Sequence, residues 1–388
     1  MRACICNKNL DTVGGNEMLF KRTDQLKVGM RLARPIYNRN GILLYERNSR
    51  LTHQGIVSIK NFGLIGIYIL EPAEPVPPMT QDDIEFERFQ TVSFFTLRDE
   101  LKAMQNKKES RKLMMLANSI IKSYGNLYHK INFTQNLRSQ EDYTYKHTLN
   151  VAILCALMSH QLDFPFEEQL DVVMAALLHD IHKLSVSSEL ADKKIQQLND
   201  DELLEMRKAY TDTQDWFQYD TNISSGMRLM VNQMHHSLVS NNPLDEENIL
   251  RGTKVLQVAE IYDTMTAMKS YTEPTSEVTA IRYLINNPKQ NEPEIVASLI
   301  DSLHILAPGT CVTLTNYDKA IVISENNENV LRPVVLSFRK NKLYDLSKKT
   351  TFNKLQILDI MKTLDNRVII DKEAIANFKG NPPPEVEE

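Results

Sequence analysis

His179 and Asp180 stand side by side at the end of an apolar run, residues 172–178. An imidazole and a carboxylate leaving the core together are expensive to bury unless something pairs with both, and a divalent cation is the commonest group that does. Three other features keep them company: His147, the pair His235-His236, and Glu260 inside the apolar run 255–262. At helical spacing His147 shares a face with Val151 and Leu154, so it points toward the core. Val258, Ala259 and Ile261 leave Glu260 little access to water, and a buried carboxylate needs a partner. Convergence of these residues would make an imidazole–carboxylate metal site. Positions left open to water and substrate would let the ion acidify water and polarise a phosphoryl oxygen.

The elements that must carry these residues read as a mainly α protein. Helical patterns cover 86–105, 110–128, 144–161, 167–181, 200–209, 223–235 and 251–268, several with apolar spacing of three and four. They build a helical domain over 80–306. Before it, 18–70 reads as a small β-rich module. Its strand pair spans an Asn40-Gly41 turn, a short helix lies near 52–61, and a last strand covers 65–70. Four prolines in 71–79 make a semi-rigid linker. After the helices, 307–350 is a β-rich extension of short strands near 311–315, 320–324 and 333–338, and 351–388 is a C-terminal segment with a disordered tail.

Composition narrows the function classes. The 388 residues suffice for two or three domains. The 42% apolar and 24% charged content is that of an ordinary globular protein. A formal charge of −5 disfavours a nucleic-acid polymer as partner and allows a small anion met by local cations. The longest apolar stretch, 151–158, is too short to span a membrane, and the first twenty residues lack a signal peptide's apolar core. Cys4, Cys6, Cys155 and Cys311 form no disulfide framework, so a reducing cytoplasm is expected.

His147, then His179-Asp180 with Lys183 behind, then His235-His236, then 258–266 and Tyr271 resemble the HD-GYP family of metal-dependent phosphohydrolases that cleave cyclic di-GMP. The resemblance covers roughly 144–306. The stretch at Arg332-Pro333 and the 18–70 module also look like common neighbours of that domain. It implies an all-helical HD-type fold and one or two ions, iron or manganese. The expected ligands are His147, His179, Asp180, His235, His236 and Glu260. Asp180 would hold the ion, activated water would attack phosphorus, and Lys183 would neutralise phosphate charge. Lys269 aligns with a substrate-binding arginine.

The departures are specific. Histidine 182 replaces a glycine, Asn222 stands where the family has a metal-binding histidine, Ser237 replaces a glutamate, and 239–243 replace a Gly-Tyr-Pro loop. Missing positioning groups slow a reaction by orders of magnitude even where binding survives. Two functions therefore stand open: a phosphodiesterase for cyclic di-GMP or a related phosphodiester, with reduced activity, and a catalytically degenerate sensor or scaffold. The second would bind a cyclic dinucleotide or a protein partner in signalling.

Overall fold

The computed structural model describes residues 18–37, 43–46, 49–61, 66–70, 80–106, 112–135, 138–219, 223–240, 244–269, 275–337, 339–340 and 342–360. They fall into two compact units. One is Met79–Leu306, and the other gathers chain before Pro78 and after Ala307. The mainly α fold expected from the sequence is present.

The N-terminal part of the second unit holds β1 (Met18–Arg22), β2 (Arg31–Leu32), β3 (Ile36–Tyr37), β4 (Leu43–Tyr45), helix α1 (His53–Asn61) and β5 (Gly66–Leu70). Strand β5 lies between β1 and β2, antiparallel to both, and β3 pairs with β4. That pairing is the expected hairpin, although its Asn-Gly turn lies outside the described residues. Leu32, Leu51, Ile59 and Ile69 close a small core beneath the strands. The expected linker, 71–79, also lies outside the described residues.

The helical unit runs α2 (Gln81–Gln105), α3 (Leu113–Tyr124), α4 (Tyr143–Gln161), α5 (Phe166–Leu178), α6 (Ser188–Ala191), α7 (Asp200–Tyr219), α8 (Ser225–Met234), α9 (His236–Val239), α10 (Arg251–Thr266), α11 (Glu277–Asn286) and α12 (Pro293–Ser302). Helix α4 is its axis. Residues Thr148 to Ser159 are buried without a break, so no face of those turns meets water. A helix buried all round must be wrapped by others, and α2, α3, α5, α10 and α12 do so. Each fully buried Leu, Ile or Val there contributes about 1.5–3 kcal/mol. Cys155 lies at the centre of this helix, fully buried.

Two expected helices end differently. Helix α5 stops at Leu178, and a 3-10 turn over Ile181–Ser185 follows, where a continuous helix to 181 was expected. That break gathers His179, His182 and Lys183 around Asp180. Helix α7 runs ten residues beyond 209. Tyr210, Thr213 and Phe217 recur at spacings of three and four on one buried face, and this packing outweighs the polar Thr211, Asp212 and Asp215 between them. None of the described helices is long and apolar enough to cross a membrane.

The C-terminal part is a five-stranded antiparallel sheet of β6 (Cys311–Leu314), β7 (Lys319–Ser324), β8 (Val334–Ser337), β9 (Lys342–Asp345) and β10 (Ile357–Ile360), in the order β10-β6-β7-β8-β9. A short α13 (Lys349–Phe352) leads into β10, so the sheet extends past residue 350 to Ile360. Val312, Leu314, Val322 and Val335 share one face of it and Cys311 lies on the other, and all five are fully buried. The tail expected to be disordered, 382–388, lies outside the described residues.

Candidate metal centre

Four elements converge on one cluster. Helix α4 supplies His147, the end of α5 supplies His179 and Asp180, the 3-10 turn supplies Lys183, and α10 supplies Glu260. Ligand atoms of His147, His179, Asp180 and Glu260 all lie within 4.8 Å of one another. These are four of the six residues expected as ligands.

The geometry asks for positive charge. The Nδ1–H of His179 donates to the Ala176 carbonyl at 2.6 Å, which turns Nε2 toward the cluster. There Nε2 meets Glu260 Oε2 at 3.1 Å. With Nδ1 committed as donor, the neutral ring would set a lone pair against a carboxylate oxygen, an arrangement that needs a proton or a cation between the two. His147 is held more tightly, with Nε2 2.6 Å from Glu260 Oε2 and Nδ1 2.7 Å from Asp263 Oδ2. Burial alone would depress its pKa, but Glu260 and Asp263 outweigh burial and raise it to about 9. Without a metal the ring is therefore an imidazolium between two carboxylates, its Nε2 proton standing where a cation could bind.

The carboxylates remain ionised. Burial opposes this for Asp180, but Lys183 and His179 pull its pKa well below the usual range. Lys183 Nζ donates to Asp180 Oδ2 at 2.6 Å, and the pairing keeps the ammonium protonated against the cost of burial. Asp180 Oδ1, fully buried, has no hydrogen-bond partner among the described residues. A buried anionic oxygen without a donor is costly, so the site has one acceptor to spare. Two imidazoles and two carboxylates form a mixed donor set, and the residues present fit a divalent ion. Glu260 is less enclosed than its apolar neighbours suggested, with its side chain 25% exposed at the mouth of the cluster.

Behind the cluster lies a network the sequence did not disclose. Asp263, one turn after Glu260 on α10, has no exposed side-chain surface. It takes a two-pronged pair from Arg138, with Nη1 and Nη2 each at 2.6 Å, and further hydrogen bonds from Gln135 and Asn150. Burial would raise its pKa, but Arg138 and His147 hold it far down. Asp263 thus orients His147 through Nδ1 and leaves Nε2 facing the cluster, the arrangement by which a carboxylate fixes the tautomer of a ligating histidine. Arg138 is itself fully buried and anchored by its backbone N–H to the Met268 carbonyl at 2.8 Å. The available signal was the i, i+3 spacing of Glu260 and Asp263. Arg138 lies in an irregular polar stretch and gave none.

The remaining expected residues separate. His235 caps the end of α8 and is buried, with Nε2 2.9 Å from the His179 carbonyl and 3.6 Å from Asp180 Oδ1. Burial, partly countered by Asp180, lowers its pKa to about 4. His182, the histidine in place of the family's glycine, packs edge-on against His235 with ring centres 4.5 Å apart. Burial and then His235 push its pKa well below the ordinary value. His236 does not join either group. It opens α9 and lines a cavity of about 700 Å3 with Tyr210, Leu229, Asn232 and Val239. Consecutive residues at a helix break point apart, and His236 belongs to neither group of candidate ligands among the described residues. Lys269 donates to Asp192 at 2.7 Å and stands 4.5 Å from the Tyr143 ring, which stacks on His147. The charge on Asp192 also acts on Lys183, so both lysines share one acidic neighbour beside the cluster. Asn222 and Tyr271 lie outside the described residues.

Residues 144–265 match the HD domain family. That segment is similar to an HD domain. Its match covers α4 to α10, every element that contributes to the cluster. The cyclic di-GMP phosphodiesterase PA4108 of Pseudomonas aeruginosa is 24% identical over 206 residues. The match takes in 52% of this chain and 49% of that relative, so this chain spans about half the length of the curated relative it matches. Among solved structures, Bd1817, a HDG"Y"P protein from Bdellovibrio bacteriovorus, aligns with a TM-score of 0.44 and 12% identity, over 73% of this chain and 98% of that one.

Proposed function

We propose that the HD domain is a metal-dependent phosphodiesterase acting on cyclic di-GMP or a related phosphodiester. The observation that carries this reading is His179 Nε2 facing Glu260 Oε2 at 3.1 Å beside Asp180, with His147 completing the set. Iron or manganese suits these donors. A bound divalent ion supplies Lewis acidity toward a phosphoryl oxygen and lowers the pKa of water. The chain supplies the rest. Asp263 and the Ala176 carbonyl hold the two imidazoles in orientation, and Glu260 lies at the exposed mouth where substrate would enter. Lys183, next to Asp180, provides positive charge for the phosphate. The similarity to a cyclic di-GMP phosphodiesterase supports the substrate class. The cysteine pattern supports a reducing, cytoplasmic setting.

A second reading has its own observation. Lys183 and Lys269 are both paired with carboxylates, Asp180 and Asp192, which lowers the net positive charge available to phosphate. That arrangement favours a sensor or scaffold that binds a cyclic dinucleotide, or a protein partner, without turnover.

One assay separates the two. Protein stripped of metal and reloaded with Mn2+ or Fe2+ is incubated with cyclic di-GMP, and products are followed beside an Asp180→Asn control. Linear dinucleotide formed by the parent alone supports the enzyme. Saturable binding without product favours the sensor, and in that case Lys183→Ala should weaken binding more at low salt than at high. Metal-dependent folding with neither product nor binding would leave the protein-partner reading.

A further inference from the structure

Asp180 has two oxygens, and they face different neighbours. Oδ2 receives Lys183 and lies 3.7 Å from the Nε2 atoms of both His147 and His179. Oδ1 lies 3.6 Å from His235 Nε2 and has no hydrogen-bond partner among the described residues. The ligand atoms of Asp180, His182 and His235 form a second compact group, all within 4.8 Å of one another. His182 is 1% exposed, and its Nδ1 likewise has no hydrogen-bond partner among the described residues. An anionic oxygen and an imidazole nitrogen are thus both buried and unsatisfied beside a third donor. Apolar packing would not leave two polar atoms in that condition.

We propose that Asp180, His182 and His235 form a second divalent-cation site, in which His182 supplies the imidazole that Asn222 does not. Glycine at position 182 could offer no ligand, whereas a histidine there reaches the cluster from the 3-10 turn that follows α5. Asp180 bridges the two groups through separate oxygens. His235 Nε2 donates to the His179 carbonyl in the metal-free protein, so ligation through that atom requires the neutral ring to carry its proton on Nδ1 and frees the carbonyl. Tyr210 closes the far side, its ring centre 5.4 Å from that of His182 and 5.5 Å from that of His235. The donor set of one carboxylate and two imidazoles suits manganese, iron, cobalt or zinc better than calcium or magnesium. The inference rests on the reading of His147, His179, Asp180 and Glu260 as a first metal site, because Asp180 belongs to both.

The test is metal stoichiometry, measured on the full chain after chelator treatment, reloading with Mn2+ and removal of unbound ion. The expected result is two ions per chain for the parent and one for His182→Gln and for His235→Gln. Parent and His182→Gln with the same count would overturn the second site while the first stands, and a parent that binds no ion overturns both. Should His182→Gln fail to fold, the parent decides alone. Two Mn2+ ions bridged by one carboxylate couple magnetically, so the six-line resonance of isolated Mn2+ seen at half loading should collapse at saturation. Persistence of the isolated signal at saturation would overturn the proposal.

Discussion

The residues that carry chemistry here divide by how they announce themselves. His147, His179, Asp180 and Glu260 were legible because an ionisable side chain inside an apolar helix has few explanations other than a partner. Asp263 and Arg138 were not. Asp263 falls where α10 runs out into Thr264 and Thr266 and reads as a polar helix end, and Arg138 reads as a solvated loop arginine. Their pairing across 125 residues exists only in the fold. It yields a sharp expectation: Asp263→Ala leaves Arg138 buried without its counter-charge and should lower unfolding free energy by about 3–5 kcal/mol in urea titration. The gentler Asp263→Asn should keep the fold while weakening Mn2+ binding by roughly 10–100-fold in calorimetry, since His147 loses its orienting carboxylate. Unchanged affinity would show that His147 needs no such support. His179→Ala should abolish metal retention at the first site, and undiminished metal content would sink the ligand assignment.

At the scale of elements, most helices were readable from their apolar spacing and their ends were not. The centre of α4 was readable because its apolar run is long and uninterrupted. The stop of α5 at Leu178 was not, although that stop is what gathers His179, His182 and Lys183 around Asp180. Helices α11 and α12 are absent from the expected set despite their start signals, the Ser276 cap and Pro293 in the first turn. Close packing holds α10 where Glu260 and Asp263 can work. A Cβ on Gly252, in its first turn, would come within 2.6 Å of Val172 on α5 and 2.8 Å of Met230 on α8. Gly252→Ala should therefore destabilise by about 1–3 kcal/mol through overpacking, although alanine is the better helix former. A neutral or raised melting temperature would mean that α10 can shift without strain.

The molecule as a whole should show a stability optimum set by its buried histidines. In metal-free protein the His235 ring stays neutral down to about pH 4, whereas an unfolded histidine takes up its proton near pH 6.5. That contribution is complete above about pH 6.5 and is lost as pH falls toward about 4, an effect on the order of 3 kcal/mol at the acid end. His147 has the opposite sign. With its pKa raised to about 9, its contribution is complete below about pH 6.5 and is lost as pH rises through about 9. Chelator-treated protein should then melt highest near pH 6.5, and His235→Gln should flatten the acid limb. An acid limb unchanged in that variant would assign it to other groups.

Cys155 and Cys311, one at the centre of α4 and one in β6, are both wholly enclosed, and burial pushes the Cys155 thiol far above its ordinary pKa. Neither can meet an alkylating reagent until its surroundings open. In a Cys4→Ser, Cys6→Ser background the two thiols become separate clocks, one for each compact unit. Ions that tie α4, α5 and α10 together should slow modification of Cys155 in proportion to their occupancy and leave the rate at Cys311 untouched.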